Sequence, residues 1–531
     1  MARGTGFKTV CRAGEGMNRD LAARVRDVLD VDVSEFRAQA QADAEVVKTE
    51  LKDGTFDNHR SIVGLEYEFY AVADGRWRRN GDDDDAGSEL VRVPRRLLEL
   101  IRFEKELGLH NAELTTSPQP LNAEGLRAQA AGVRSHLSSA LQTTRIEGMR
   151  LVSDGIWTIP PSGETARRYL TDSISDRGVR VATNMTDAVR YHAMANGPNA
   201  PTPFAIEAPH VSLDADTVMP ESLITSIQPH YQVPHASDLP TYHNYALRVA
   251  GPLLALGVNS PFFPPDLYDE GADPAAVVAD AHAENRIHVF ESVLNTEGAE
   301  KVRFPRDLDT VEEAVDRVAS DPTVVPMPVD RGDRFDDKFA TLRRKHGTFW
   351  RWVRPVFDGA DRSSANARIE FRPIAAQPTV SDSIAFLATV AGLMESLPRH
   401  EHPVIGQDWT VAKENFYAAA RHGTASEQRW VTNDGQETTD PAVVYDDIFS
   451  HAVEGLRAAG CSTDEAESYV APLRQRAEAG VTPAAWKRDR VRRRVADGAS
   501  LATAIPAMQR AYVDNQTETL LDGAFVDWLD D

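Results

Sequence analysis

Lysine is scarce in this chain: nine of its 58 basic residues are Lys, set against 81 Asp and Glu. The formal charge of −23 excludes a general nucleic-acid binder, because phosphate contact needs a basic face and the composition offers none. Acid surplus with few lysines matches a halophilic surface, built for concentrated salt in which carboxylates hold water. An ordinary acidic enzyme is the alternative reading. Cysteine is nearly absent as well. Cys11 and Cys461 supply neither a disulfide framework nor a thiolate metal cluster, and no His stands near either as an activating partner. Long hydrophobic runs are missing too. Tyr245–Val258 is interrupted by Arg248 and Ala385–Met394 is short, both below the roughly 18 residues of a membrane span. No apolar signal core opens the chain, so a cytoplasmic location is expected. No Gly-rich phosphate loop appears, and strands do not alternate regularly with helices, which argues against a doubly wound sheet.

What the chain does have is length. Its 531 residues exceed one ordinary core, so two or three structural units are expected. Residues 1–16 carry Arg3, Lys8, Arg12 and a single acid, a balance opposite to that of the remaining chain, and an expected start lies at Met17. Leu21, Val25, Val28 and Leu29 predict a helix within 17–54. Strand alternation begins at Ile62. The polar loop Asp74–Gly87 contains Asp82–Asp85, read as a solvated hairpin tip because calcium loops alternate their acids with other residues. Helices are predicted over Pro94–Gly108, Leu239–Leu256, Pro274–Leu294 with Asp273 as N-cap, Thr310–Ser320 with a Thr310/Glu313 capping box, and Ser381–Leu397. Leu109–Leu121 and Arg368–Pro373 read as extended, and a helical tail fills Pro441–Asp531. The layout is α+β.

The segment Val63-Gly64-Leu65-Glu66-Tyr67-Glu68-Phe69 carries the most chemical information. Alternation puts Leu65, Tyr67 and Phe69 on one face and Glu66 and Glu68 on the other. Carboxylates two residues apart on a strand lie about 7 Å apart and repel by roughly 2 kcal/mol at an effective dielectric near 20. A cation between them removes that cost; a solvated polar face is the alternative. Related segments repeat the design. Glu113 and Thr115 share a face in Asn111–Thr115, as do Gln228, His230 and Gln232 in Ile227–Gln232, and Glu370 lies between Arg368 and Arg372. Carboxylates with one imidazole suit Mg²⁺ or Mn²⁺, the ions that hold phosphates, better than a zinc hydrolase site.

Gly64-Leu65-Glu66-Tyr67-Glu68-Phe69 resembles the first strand of the type 2 glutamate–cysteine ligases, also called carboxylate–amine ligases. Leu254–Phe262, with Asn259-Ser260-Pro261, is similar to that family's Ala-Asn-Ser-Pro segment, although a helix-ending turn is the other reading. Trp350, Trp352, Arg354, Pro355 and then Arg368–Arg372 come next in the family's order. Lys413–Phe416, Ala420–Gly423 and Arg476, Gly480, Thr482 and Trp486 resemble its later elements. The resemblance implies a glutamine synthetase-like curved, mainly antiparallel sheet with helices on its convex side; the length at both ends departs from the family's usual core. The expected division is a helical N-terminal extension over 1–60, an ATP-dependent catalytic domain over 61–430, and a helical region over 431–531 packed on it.

The same resemblance assigns metal binding to Glu66, Glu68, Glu113, His230 and Glu370. It assigns phosphate or substrate contact to Arg354 and Arg372, with Gln228 and Asn259 as further binding positions. Gln228 stands where the family has the first His of a His-x-His strand. The implied activity is ATP-dependent joining of glutamate, through its γ-carboxylate, to cysteine, with ATP and Mg²⁺ (or Mn²⁺) required. Two alternatives remain: a non-catalytic relative that binds nucleotide and amino acid, favoured by Gln228, and a ligase for another amine. The partners expected are small molecules, amino acids and ATP, with no nucleic acid and no membrane. The assembly state is left open.

Overall fold

The computed structural model describes residues 20–74, 88–197, 200, 203–295 and 300–529; residues 1–16 and the acid run Asp82–Asp85 lie outside them. Strict alternation makes Ile62–Ala73 the central strand, β1. Val63, Leu65, Tyr67 and Phe69 are buried on one of its faces. Each such side chain contributes roughly 1.5–3 kcal/mol by leaving water, which fixes the register against a one-residue slip. The other strands of its sheet are β2 (Glu104–Lys105), β3 (Asn111–Thr115), β4 (Gln119–Pro120), β5 (Met149–Val152), β6 (Ile227–Gln232), β7 (Val353–Asp358) and β8 (Asn366–Phe371). They form an eight-stranded sheet in the order β7-β8-β6-β1-β3-β2, with β4 and β5 also pairing with β1. Every pairing is antiparallel, and the sheet curls into a half-barrel, the curved antiparallel sheet expected.

Helices Leu239–Gly257 and Val380–Ser396 cover the apolar face of the sheet. Tyr231 Oη donates to Glu395 Oε1 on the second helix at 2.8 Å, and Tyr67 Oη to the Gln377 carbonyl at 3.3 Å. Helix Pro441–Ala458 crosses Val380–Ser396 at glycines. A Cβ on Gly455 would run into the Gly392 carbonyl, and one on Gly392 into that of Ala452, so only glycine allows this approach. The hydrophobic core is continuous from Ala22 to Trp528. Among the described residues, no helix is long and apolar enough to cross a membrane.

One buried cation fastens the C-terminal helices to the sheet domain. Arg476, with no solvent exposure, pairs with Asp382 at 2.7 Å and donates to Gln377 Oε1 at 2.7 Å and to the Leu256 carbonyl at 3.0 Å. Gly480, at φ +65°, then ends helix Thr463–Ala479 in the left-handed region. Removing one member of a buried pair typically costs about 3–5 kcal/mol. Arg476→Met is therefore expected to lower the thermal midpoint by several degrees at any salt concentration. An unchanged melt would mean that the pair contributes nothing.

Several helices differ from the sequence expectation. The 17–54 helix is two, Leu21–Leu29 and Val33–Lys52, because Asp32 turns to cap the second and accepts from the Glu35 amide at 2.8 Å. The Pro94–Gly108 helix covers only Arg95–Ile101 and stops at Arg102, whose φ is +58°. Asp273 does cap Pro274–Asp280, but the helix breaks and resumes as Asn285–Leu294. Between them the Glu284 carboxylate is buried and accepts from the Asn259 amide at 2.8 Å and from Ser260 Oγ. The 24-residue helix Ala123–Ile146, capped by Asn122, has no counterpart in the sequence expectation. The acidic surface also has a basic exception that composition averages hide. Helix Pro483–Ala496 exposes Arg492, Arg493 and Arg494, with Asp489 pairing to the first two.

Candidate active site

Register gathers the polar residues of separate strands onto the face away from Tyr67 and Phe69. Glu66 lies opposite Gln228 on β6 and Thr115 on β3, Glu68 opposite Glu113, and Gly64 opposite His230. His230 in turn lies opposite Glu370 on β8, and Glu370 opposite Arg354 on β7. Residues more than 300 positions apart in sequence thus form two adjoining poles on one surface, one acidic and one cationic.

At the acidic pole Glu66 is 6% exposed and Glu113 fully buried. His230 Nε2 stands 3.5 Å from Glu66 Oε1, and Thr115 Oγ1 donates to Glu113 Oε1 at 3.0 Å. Glu68 accepts from the Ser226 amide at 2.7 Å, from Ser226 Oγ at 3.1 Å and from Gln228 Nε2 at 2.9 Å. At the cationic pole Arg354 Nη2 reaches Glu370 Oε1 at 2.8 Å, and Arg372 pairs with the same oxygen. Burial opposes ionisation of Glu370, yet Arg354 and Arg372, helped by His230, hold its carboxyl well below the usual range. Gln228 bridges the poles, since its amide donates to Glu68 while its Oε1 accepts from Arg372 Nη1 at 2.5 Å.

Among the described residues, the Nε–H groups of Arg354 and Arg372 are buried without a hydrogen-bond partner. Buried guanidinium donors left open in this way are suited to an incoming oxyanion. Arg354 is oriented from behind, its Nη1 donating to the carbonyls of Phe349 at 3.2 Å and His346 at 3.3 Å.

Sequence reasoning missed three contributors. Arg286 is buried beneath the cationic pole, where Nη2 donates to the carbonyls of Arg372, at 3.0 Å, and Pro373, and its guanidinium lies 5.2 Å from the Trp352 ring. Burial lowers its pKa to about 10. Glu106 and Glu221 join Glu68 around a recess of about 30 Å³, roughly the room of one water. Burial, then repulsion from Glu106 and Glu68, pushes the Glu221 carboxyl up to about 8. All three enter from a loop, a 3₁₀ turn or a helix start, where no alternation marks a face. Asn259 is not brought to this surface. Its buried Nδ2 donates to the Ala376 carbonyl at 2.8 Å and to Tyr512 Oη at 2.9 Å, which joins the loop to the C-terminal helices.

The donor set fits a hard divalent ion. Glu66, Glu68 and Glu113 supply oxygen ligands beside one imidazole, but the site's ligand atoms do not converge within the 4.8 Å of a preformed three-ligand cage. That openness suits Mg²⁺, which takes one or two carboxylates and completes its shell with water and phosphate. A compact His402–Asp447–His451 group does meet that spacing elsewhere. There His402 Nδ1 accepts the Val404 amide at 3.2 Å, so Nε2 keeps its proton and donates to Asp447 at 3.1 Å, a hydrogen-bonded arrangement rather than a ligating one.

Comparison with known proteins identifies the family. The family model described as glutamate–cysteine ligase family 2 matches residues 62–516. No curated protein matches the chain. Among solved structures, similarity is found to a glutamate–cysteine ligase from Francisella tularensis in complex with AMP, with 13% identity, TM-score 0.47, and coverage of 88% of this chain and 91% of that one. A bifunctional glutathione synthetase from Pasteurella multocida shares 13% identity at TM-score 0.44, over 89% of this chain and 54% of its own. The ligase PafA in complex with the ubiquitin-like protein Pup shares 13% at TM-score 0.39, over 85% and 71%. The match to the family model, spanning β1 through the C-terminal helices, carries the assignment: the chain belongs to glutamate–cysteine ligase family 2 and is a carboxylate–amine ligase.

Proposed function

We propose that this ligase joins the γ-carboxylate of glutamate to the amine of cysteine at the cost of ATP. The observation that carries this reading is the adjacency of an acidic pole and a guanidinium pole bridged by Gln228. A carboxylate oxygen attacks the γ-phosphorus, the bond to ADP breaks, and an acyl phosphate forms. The amine then attacks the acyl carbon, phosphate departs, and the nitrogen loses a proton. Phosphoryl transfer of this kind is accelerated chiefly by positioning and charge neutralisation.

Glu66, Glu68, Glu113 and His230 would hold Mg²⁺ or Mn²⁺, which supplies positive charge at the phosphate oxygens; Glu370, which the resemblance also assigned to the metal, is engaged instead by Arg354 and Arg372. Arg354 and Arg372 bind the transferring phosphoryl group or the substrate carboxylate through their open Nε–H edges, a planar two-pronged contact that Lys cannot copy. Glu370 is the counter-charge that keeps both guanidiniums in place. Gln228 supports catalysis rather than a purely binding role, because it keeps acid and cation apart at a set distance without adding charge.

The test is ADP release in concentrated KCl with Mg²⁺, ATP and a panel of amino acids and amines. Release requiring both glutamate and cysteine is expected. Release with glutamate and a different amine would replace the acceptor, and no release with any pair would leave a non-catalytic binder.

A further inference from the structure

A cavity of about 580 Å³, far larger than the recess beside Glu68, does not open onto the catalytic face. It lies on the other side of edge strand β7. Val353 and Pro355 line it, and strand alternation turns these two away from Arg354, which sits between them. Its volume falls in the range of small-molecule sites, roughly 300–1,000 Å³.

Cations held on aromatic rings dominate its wall. The Arg306 guanidinium stacks 4.1 Å from the Trp409 ring centroid, and the Lys413 ammonium lies 5.4 Å from the same ring. Arg351 stacks 4.3 Å from Phe349. The indole is itself anchored, with Nε1 donating to the Pro305 carbonyl at 2.6 Å. A guanidinium fixed by its flat face leaves its N–H edge free for an oxyanion. Among the described residues, Arg303, Arg306 and Lys413 form no ion pair with a carboxylate, in a chain whose charge is −23.

The cavity's own acids are largely engaged with other partners. Asp321 pairs with Lys301 and, at 2.6 Å, with Arg351. Burial pushes the Glu291 carboxyl up to about 7, while it accepts from Trp352 Nε1 at 2.8 Å and Tyr417 Oη at 2.7 Å. Glu300 stands exposed among the lining residues. Burial, followed by repulsion from Arg303, Arg317 and Arg354, lowers Arg351 to about 9.

The wall also touches the catalytic machinery from behind. Phe349 lines the cavity, and its carbonyl accepts the Arg354 guanidinium that holds Glu370. We propose that this outer cavity binds a small organic anion, a phosphate or carboxylate on an apolar body, and that its occupancy is transmitted to Arg354 through the segment carrying Phe349 and Arg351.

The binding half of this proposal is independent of the reaction proposed above; the transmission half rests on that reaction and is read through ADP release. The full chain is titrated by equilibrium dialysis with GMP and, separately, with phthalate, in EDTA and the KCl that maintains the fold. One equivalent of at least one probe is expected to bind saturably. GMP alone would identify a phosphate ester site, and phthalate alone a carboxylate site. Arg303→Ala/Arg306→Ala, at exposed positions, is expected to weaken binding tenfold or more with an unchanged melt, whereas Glu66→Gln on the catalytic face should bind as the parent does. No saturable binding of either probe, or equal binding by the double variant, would overturn the site. ADP release should change severalfold with the bound probe in the parent and not in the double variant. Binding without that change would uphold the site and remove the transmission.

Discussion

Glu66→Gln is expected to lower ADP release by about a hundredfold or more while leaving the metal-free protein at least as stable as the parent. Glutamine keeps the size of the side chain and removes its charge, so loss of turnover reports the charge alone. Preorganised charges at transferring groups are worth about 10²–10³ in rate each. The stability arm distinguishes a site from a scaffold. Glu66 is 6% exposed, and both it and Glu68 lie on one strand face, so they repel by roughly 2 kcal/mol at an effective dielectric near 20. Neutralising one relieves that strain in the absence of an ion. His230 Nε2 stands 3.5 Å from the Glu66 carboxylate, and glutamine keeps an oxygen of the same placement facing it. Mg²⁺ should accordingly raise the thermal midpoint of the parent and do so much less in the variant. Turnover within tenfold of the parent, with unchanged Mg²⁺ dependence, would remove Glu66 from the site.

Dilution of salt is expected to unfold the protein cooperatively below a few tenths molar KCl. The screening length grows from about 3 Å at 1 M to about 30 Å at 0.01 M, so a chain at −23 then feels most of its own charge. The acidic pole should be the most sensitive region, since Glu68 and Glu113 face each other across adjacent strands and Glu66, Glu106 and Glu221 stand close by. Mg²⁺ with ATP should recover part of the loss, by about 2.7 kcal/mol when ligand stands at a hundred times its dissociation constant. Thermal melts across a KCl series, with and without Mg²⁺ and ATP, decide this. A midpoint independent of salt would reject the salt-adapted reading. A salt-dependent midpoint with no ligand effect would count against the nucleotide site while leaving that reading intact.

Much of the candidate site was legible because strands write their faces into the sequence. A period of two separates Glu66 and Glu68 from Leu65, Tyr67 and Phe69, and the same period exposes Glu113, Gln228, His230 and Glu370 as members of polar faces, whereas Arg354 came from the family resemblance alone. The caps at Asp273 and Thr310 were equally local, each needing only a side-chain oxygen placed before a free amide. The order of these motifs identified the family, which the match over residues 62–516 bears out.

Other features depend on contacts that no local pattern encodes. The break after Asp280 exists because Glu284 is drawn to the turn at Asn259 and Ser260, distant in sequence. The same turn looked like a binding motif, and only packing against Tyr512 shows where the Asn259 amide is spent. Arg286, Glu106 and Glu221 reach the site from irregular backbone, so periodicity is silent about them. Sequence by itself determined the family, through the order of its motifs, and with it the expected antiparallel sheet; near-neighbour alternation gave the polar side chains of β1, β3, β6 and β8. Only the tertiary structure decided how those side chains pair, that Gln228 spans Glu68 and Arg372, and that a cation-lined cavity lies behind Arg354. These are set by strand register and long-range packing, which bring together residues whose separation along the chain carries no record of their contact.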